Sequence, residues 1–323
     1  MNAGISALSA FAPDKILSNS DLETTIETSD EWIRKRTGIQ ERRISDENQF
    51  TSDLCVSAAK KMAEESGISL SDVDFVIVGT ITPDQVMPSV ASKVQHALGA
   101  NHAGTMDLTA ACAGFGYGLI IAKALIESGM YKKILVFGAE TLSKAVDYSD
   151  RTTCILFGDG AGVALVEPEG KSKILTTTTG TNGSEGHNLT LSNLGDKVNG
   201  VDIITDRNIH QDGRKVFKWA VETISKVAKE TMENAGLTID DIDWFIPHSA
   251  NLRIIEAICK NTGIPAEKTL ESLVNFGNTS SASIPLALNQ GIEKGKVKKG
   301  DKLLLIGFGG GLTYAGLIVD WNG

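Results

Sequence analysis

AGLTIDDIDWFIPHSA, residues Ala235–Ala250, lines up position by position with SGISLSDVDFVIVGT, residues Ser66–Thr80. Each stretch opens on a small residue and a glycine, passes an acidic turn and ends in a short apolar strand pattern. A helical segment follows in both places, NLRIIEAICKNTG in the later copy and SVASKVQHALG in the earlier. Further out, IPLALNQGIEKGKVKKGDKLLLIGFGGG mirrors LIIAKALIESGMYKKILVFGAE, and GGGLTYAGLIVDW echoes GDGAGVALVEP. One order recurring at a spacing of roughly 150–170 residues marks a duplicated α/β unit. The halves divide as residues 1–170 and 171–323, with Cys112 in the first and His248 and Asn278 in the second. Strand and helix alternate in each half, and the strands read as continuous apolar runs, the pattern of sheets covered on both faces. Two such halves packed together predict an α/β fold of five layers, α/β/α/β/α, with two mixed sheets and the smallest helices at the centre.

Composition bounds the function. The chain has 323 residues, 41% of them hydrophobic and 22% charged, the profile of a soluble globular protein with ample core. A formal charge of −9 with no sustained basic run argues against nucleic acid as a partner. Four cysteines, Cys55, Cys112, Cys154 and Cys259, are scattered without a CxxC pair, so neither zinc nor a redox pair is suggested. No signal-peptide pattern opens the chain and no apolar run approaches a membrane span, so the expectation is a cytoplasmic protein with reduced thiols.

Several local expectations follow from periodicity. Residues 51–66 and 216–234 read as amphipathic helices, and Phe75–Val78 and Ile134–Phe137 as buried strands. The polar stretch TTTTGTNGSEGHNLTLSNL, Thr176–Leu194, reads as strand ends and an excursion loop outside the core.

The residues able to carry chemistry cluster at element ends. DLTAACAGFGYG, Asp107–Gly118, places Cys112 between a strand pattern and the apolar helix LIIAKALIES. At a helix N-terminus, unpaired N–H groups and the macrodipole favour a thiolate, whereas a lone buried cysteine is otherwise a small hydrophobe. His248 ends a strong strand pattern in WFIPHSANLR, where sites in α/β sheets collect. Asn278 opens a small-residue helix in VNFGNTSSAS, much as Cys112 does, and by itself would serve as an N-cap. GFGGGLTYAG, Gly307–Gly316, is no dinucleotide fingerprint, because Leu312 occupies the last glycine position; it is a turn whose N–H groups can approach a carbonyl. Together these supply a nucleophile, an acid/base group, a hydrogen-bond donor and an oxyanion hole. SDEWIRKRTGIQERRI, Ser29–Ile44, offers Trp32 among arginines, either a solvated surface or a seat for a phosphate-bearing aromatic group.

SDEWIRKRTGI, DLTAACAGF, DRTTCILFGDGAG from Asp150, HSAN at His248, GNTSSAS at Asn278 and GFGGGLTYA closely resemble the β-ketoacyl-acyl-carrier-protein synthase III family of the thiolase superfamily, over essentially the whole chain. The family usually reads HQAN where this chain reads HSAN. The resemblance implies a decarboxylative condensation of a short acyl-CoA with malonyl-acyl carrier protein, starting fatty-acid synthesis. Cys112, His248 and Asn278 would be the catalytic residues, Asn278 separating this family from elongating synthases that use a second histidine. The acyl oxyanion would rest on the N–H groups of Cys112 and Gly310. Trp32 and Arg151 would hold the CoA adenine, Arg36 its phosphates, and Asn251 the pantetheine arm. Arg253 and Lys218 would dock the acidic carrier protein. Met87 would close the acyl pocket across a homodimer. CoA enters as a thioester substrate, and no metal or redox cofactor is implied. The alternatives left open are a related thiolase-fold condensing enzyme of secondary metabolism, a Cys-His-Asn hydrolase and a non-catalytic acyl-CoA-binding protein.

Overall fold

The computed structural model describes residues 2–323. Nine strands form its frame: β1 Ala3–Phe11, β2 Phe75–Gly79, β3 Gly104–Leu108, β4 Ile134–Thr141, β5 Asp159–Pro168, β6 Ser172–Thr181, β7 Trp244–Pro247, β8 Lys302–Gly309 and β9 Thr313–Asp320. Their order across the sheet is β7-β8-β9-β6-β1-β5-β4-β2-β3. From β1 outward the order is β1-β5-β4-β2-β3, and from β6 outward it is β6-β9-β8-β7, the same succession. Where a fifth strand of the second set would lie, an isolated parallel bridge joins Phe245 to Thr269. In both sets the inner pairings are antiparallel and the outer ones parallel. β1 and β6 are themselves joined, Gly4 opposite Lys173 and Ile5 opposite Ser172, so the two mixed sheets continue into one ribbon.

The principal helices are α1 Asp30–Thr37, α2 Thr51–Ser66, α3 Val90–Ala97, α4 Gly114–Glu127, α5 Gly213–Asn234, α6 Leu252–Thr262 and α7 Ser283–Glu293. α4 touches β2, β4 and β5 of one set and β8, β9 and β6 of the other, so it lies between the sheets. Phe115, Leu119 and Ile126 of α4 and Ile284 and Leu288 of α7 share one core with Ile77, Val136, Leu305 and Leu317. α2 and α3 cover the outer face of the first set, and α5 and α6 that of the second. Among the described residues no helix is long and apolar enough to cross a membrane.

The glycines of α4 follow from this sandwich. A β-carbon on Gly118 would stand 2.7 Å from Val136 Cγ1, and one on Gly116 would stand 2.9 Å from Ala315 Cβ. One glycine thus admits each sheet, and the packing offsets the roughly 0.5–1 kcal/mol that glycine costs inside a helix.

Of the strand ends and excursion expected in Thr176–Leu194, Thr176–Thr181 is the strand end, and it belongs to the frame: it completes β6, which pairs with β9 from Lys173↔Asp320 to Thr181↔Thr313 and carries the junction to β1. Threonine's β-branching suits a pleated strand, and its hydroxyl hides the strand from an apolar count. The excursion starts later. Leu189–Leu191 pairs with Ile209–Gln211, and Leu189, Leu191 and Ile209 pack with Leu142 and Phe157 into a wall over the strand ends.

The duplication is visible at atomic detail where the halves meet. The 3₁₀ turns Ala111–Ala113 and Ser280–Ala282 lead into α4 and α7 and touch each other. Each has a left-handed residue at the same place, Ala111 with φ 44° and Ser280 with φ 48°. A β-carbon on Gly138 of β4 would meet the Ser281 carbonyl oxygen at 2.2 Å, and one on the matching Gly307 of β8 would meet that of Cys112 at 2.9 Å. Gly138→Ala and Gly307→Ala are each expected to lose about 1–3 kcal/mol of stability from overpacking. Gly213→Ala, where the added methyl has open space, should be neutral or slightly stabilising. Urea midpoints measured side by side check this; a Gly138→Ala midpoint equal to that of Gly213→Ala would contradict the contact.

Candidate active site

The strand ends and the excursion enclose a cavity of about 1250 Å³. Cys112, His248, Asn278 and Gly310 all line it, so the structure brings these four together from both halves. Each arrives by its own route: Cys112 on the turn after β3, His248 one residue past β7, Asn278 before the turn into α7, Gly310 just past β8.

Cys112 is 8% exposed, and its sulfur has room because position 309 has no side chain. A β-carbon on Gly309 would stand 2.8 Å from Sγ. Gly309 is therefore the glycine against the sulfur, and Gly310 lies beside Ala111. Burial pushes the Cys112 thiol up to about 12. Desolvation thus acts against the thiolate that the helix start favours.

His248 is 2% exposed, and burial lowers its pKa to about 3, so the ring is neutral. Nδ1 lies 2.8 Å from Ser283 Oγ, which also accepts from the Ser249 N–H at 3.3 Å. A hydroxyl can donate or accept, so Ser283 supports either tautomer and leaves Nε2 for the cavity. Phe308 meets the ring edge-on at 5.3 Å between centroids.

Asn278 is held at three points. Its N–H donates to the Leu156 carbonyl at 2.8 Å, its carbonyl accepts from Gly158 at 3.0 Å, and Oδ1 accepts from the Ser280 N–H at 2.8 Å. Oδ1 thus bonds its own backbone two residues on, one position before the N-cap residue Thr279. That use of the oxygen orients the amide and leaves its NH₂ as the donor for the cavity.

The Trp32 segment is built by local signals. Ser29 Oγ caps α1 by accepting from Trp32 N–H at 3.1 Å, and Gly38, with φ 83°, ends it. Arg36 and Arg151 converge on the indole, their guanidinium carbons 4.9 and 5.0 Å from the ring centroid. Arg151 also donates to the Glu27 carbonyl at 2.9 Å. Asn251 lines the cavity, caps α6 by accepting from Arg253 N–H at 2.9 Å and donates to the Arg36 carbonyl at 3.1 Å. One side chain therefore ties the Trp32 cluster to the cavity wall.

Trp32, Arg36 and Arg151 do not line the cavity themselves, and neither do Arg253, Lys218 and Met87. Arg253 on α6 and Lys218 on α5 are exposed on neighbouring helices, with Phe217 and Trp219 turned to the cavity instead. Met87 is 85% exposed on its loop beside Val86, and of these two Val86 lines the chain's own cavity.

Sequence reasoning passed over three residues here. Ser283 orients His248, Ser280 lines the cavity with Cys112, and Glu140 is a fully buried carboxyl group behind Ser280, its Oε1 3.0 Å from Ser280 Oγ. A charged residue closing an otherwise apolar strand, VFGAE, was the available signal for the last.

The neutral ring has a measurable consequence. The His248 ring protons should keep their chemical shifts in an NMR titration from pH 8 to pH 5, because the imidazole gains a proton only far below that range. A His248 midpoint near 6.5 would contradict the burial account.

The family model for 3-oxoacyl-[acyl-carrier-protein (ACP)] synthase III matches residues 106–183, and that for its C-terminal part matches residues 232–321. A relative named beta-ketoacyl-[acyl-carrier-protein] synthase III 2, from Halalkalibacterium halodurans, is 51% identical over 99% of this chain and 97% of its own. The crystal structure of the Thermus thermophilus synthase III superposes with a TM-score of 0.95 at 41% identity, covering 99% of both chains. A priming β-ketosynthase of the R1128 polyketide pathway superposes at 0.91 with 35% identity, over 99% of this chain and 96% of that one. With the fold, the cavity and these likenesses in agreement, the chain belongs to the 3-oxoacyl-[acyl-carrier-protein] synthase III family of thiolase-like condensing enzymes.

Proposed function

We propose that the chain joins a short acyl-CoA primer to malonyl-acyl carrier protein with loss of CO₂, giving a 3-oxoacyl-acyl carrier protein and starting fatty-acid synthesis. The observation that carries this reading is the convergence of Cys112, His248 and Asn278 from the two halves, residues 1–170 and 171–323, into one cavity. Cys112 attacks the primer thioester, CoA departs, and the acyl group stays on sulfur. His248 and Asn278 then donate to the malonyl thioester carbonyl, stabilising the enolate as CO₂ leaves. The carbanion attacks the acyl-Cys112 carbonyl, whose oxyanion rests on the N–H groups of Cys112 and Gly310. Decarboxylation drives the condensation, so CoA serves as a thioester substrate and the steps call for no metal or redox cofactor. A neutral His248 suits a donor to a carbonyl, and an Asn278 with its oxygen already engaged suits the same task.

Trp32 would stack on the CoA adenine opposite Arg151, with Arg36 toward the phosphates and Asn251 along the pantetheine arm. The convergence of both guanidiniums on the indole supports this. Exposed Arg253 and Lys218 would receive the acidic carrier protein on the face outside the cavity. Met87, exposed in the single chain, would enter a partner's acyl pocket in a cytoplasmic homodimer. A second reading, favoured by the likeness to a polyketide-priming synthase, keeps these steps and changes only the pathway served.

CO₂ release from malonyl-acyl carrier protein, followed with acetyl-CoA and isobutyryl-CoA as primers, tests the proposal. Native protein should release CO₂ in step with 3-oxoacyl product, and Asn278→Ala should lose about 10²–10³-fold. Trp32→Ala should raise the acyl-CoA KM about tenfold with little change in kcat. Arg253→Glu should slow turnover with malonyl-acyl carrier protein and leave Cys112 acylation unchanged; equal loss in both half-reactions would remove Arg253 from the docking face.

A further inference from the structure

Arg42 has no exposed surface. It sits in the middle of the short strand Glu41–Arg43, which pairs with Ile16–Ser18. Nη1 donates to the Leu17 carbonyl at 3.2 Å and to Asn19 Oδ1 at 2.9 Å, and Nη2 donates to the Ile155 carbonyl at 2.6 Å. All three acceptors are neutral oxygens, and among the described residues Nε has no partner. Burial lowers its pKa to about 10, which still leaves the guanidinium charged at neutral pH. A buried cation held only by neutral oxygens is expensive, and an apolar side chain of similar volume would fill the same space. The position therefore calls for something that a guanidinium does and an apolar chain cannot.

The contacts around Asn278 supply it. Asn278 lies alongside Leu156–Gly158: its N–H donates to the Leu156 carbonyl, its carbonyl accepts from the Gly158 N–H, and a parallel bridge joins it to Phe157. Leu156 and Phe157 line the cavity with it. Yet Ile155 and Leu156 lie in a turn ahead of β5, where no sheet ladder fixes them. The Ile155 carbonyl, which Arg42 grips, is the peptide group immediately before the one that receives Asn278.

The same short strand backs the approach to Asn278 from the other side. Gln40 N–H donates to the Val274 carbonyl at 3.0 Å, and the Arg43 guanidinium carbon stands 5.7 Å from the Phe276 ring centroid. The stem of Arg42 is seated between two glycines. A β-carbon on Gly158 would stand 3.0 Å from Arg42 Cβ, and one on Gly277, whose φ is 65°, would stand 3.1 Å from it. Arg42 thus touches the residue before Asn278 and the template beside it. Its far partner is anchored independently: Asn19 Nδ2 donates to Asp30 Oδ1 and to the Ile39 carbonyl, each at 2.8 Å. A rigid, planar fork is suited to spanning such fixed points, which a flexible ammonium or an apolar chain is not.

We infer that Arg42 is a positioning residue for Asn278: it clamps the Ile155 carbonyl against Leu17 and Asn19, and so fixes the Leu156–Gly158 template that aims the Asn278 amide into the cavity. It touches no reacting atom and acts through Asn278 alone. The inference deepens, and rests on, the reading of Asn278 as a donor to the malonyl thioester carbonyl. Acylation of Cys112 does not use that amide, so the clamp serves one half-reaction and not the other.

The test measures the two half-reactions separately, CO₂ release from malonyl-acyl carrier protein and Cys112 acylation by acyl-CoA, the latter by intact-protein mass spectrometry. Arg42→Met should lower kcat for CO₂ release about 10²-fold and Arg42→Lys, which keeps the charge and one donor, about tenfold, with KM for malonyl-acyl carrier protein little changed. Cys112 acylation should proceed at the native rate in both. Added to Asn278→Ala, Arg42→Lys should cost little more, because both changes act on one donor. Equal loss in both half-reactions, or a full further loss on the Asn278→Ala background, assigns Arg42 to fold stability alone and overturns the inference. If circular dichroism shows Arg42→Met unfolded, Arg42→Lys keeps the test decisive, since a native rate of CO₂ release in that variant also overturns it. A native chain that releases no CO₂ defeats the reading of Asn278 itself, whereas a native chain that does, with variants matching it, defeats only the clamp.

Discussion

Everything at the site depends on two helix starts being pressed together between two sheets. The turns Ala111–Ala113 and Ser280–Ala282 meet there, backed by Gly138 and Gly307, at positions where a single added carbon would collide with a carbonyl. Close packing at this density leaves little freedom, so the nucleophile and the groups around it are held by backbone contact rather than by flexible side chains. Catalytic geometry of this kind rewards such support, because small misplacements of reacting groups cost large factors in rate. Duplication is what makes the arrangement possible: each half brings a strand end, a left-handed residue and a helix start to a shared junction.

The electrostatics of the cavity follow from the same burial. The thiol is kept protonated and the imidazole neutral by desolvation, so no charge is stored on either before substrate arrives. A neutral imidazole and an amide whose oxygen is already bonded are suited to donating hydrogen bonds to a carbonyl as it becomes an enolate. The ionisable carboxyl group of the region, Glu140, lies behind Ser280 rather than in the cavity itself. Charge therefore enters the site when the reaction creates it, and the protein's fixed dipoles meet it there.

Much of this was legible in the chain itself. The match of Ser66–Thr80 with Ala235–Ala250 revealed the duplication, because strands buried on both faces leave unbroken apolar runs that survive divergence. Periodicity located α2 at residues 51–66, as found, and brought α5 within three residues of its start, since long amphipathic helices carry the strongest pattern. The place of β6 in the frame is hidden because TTTTGT buries backbone and methyl groups while showing hydroxyls, and no apolar count detects that. The desolvation of Cys112 is hidden for a related reason: a helix start is visible in sequence, whereas the depth of burial around it is set by β8 and α7 far along the chain. Glu140, Ser280 and Ser283 escaped notice because their roles exist only in three dimensions. Met87, Arg253 and Lys218 stand on the surface, where one chain alone supplies no partner to define them.

The central claim is that Cys112 carries the acyl group between two half-reactions. Intact-protein mass spectrometry after exposure to acyl-CoA alone, followed by a chase with malonyl-acyl carrier protein, addresses it directly. The account predicts a gain of one acyl mass, mapped to the peptide containing Cys112, that disappears on the chase as 3-oxoacyl-acyl carrier protein forms. No adduct, an adduct on another residue, or an adduct that persists through the chase would contradict it.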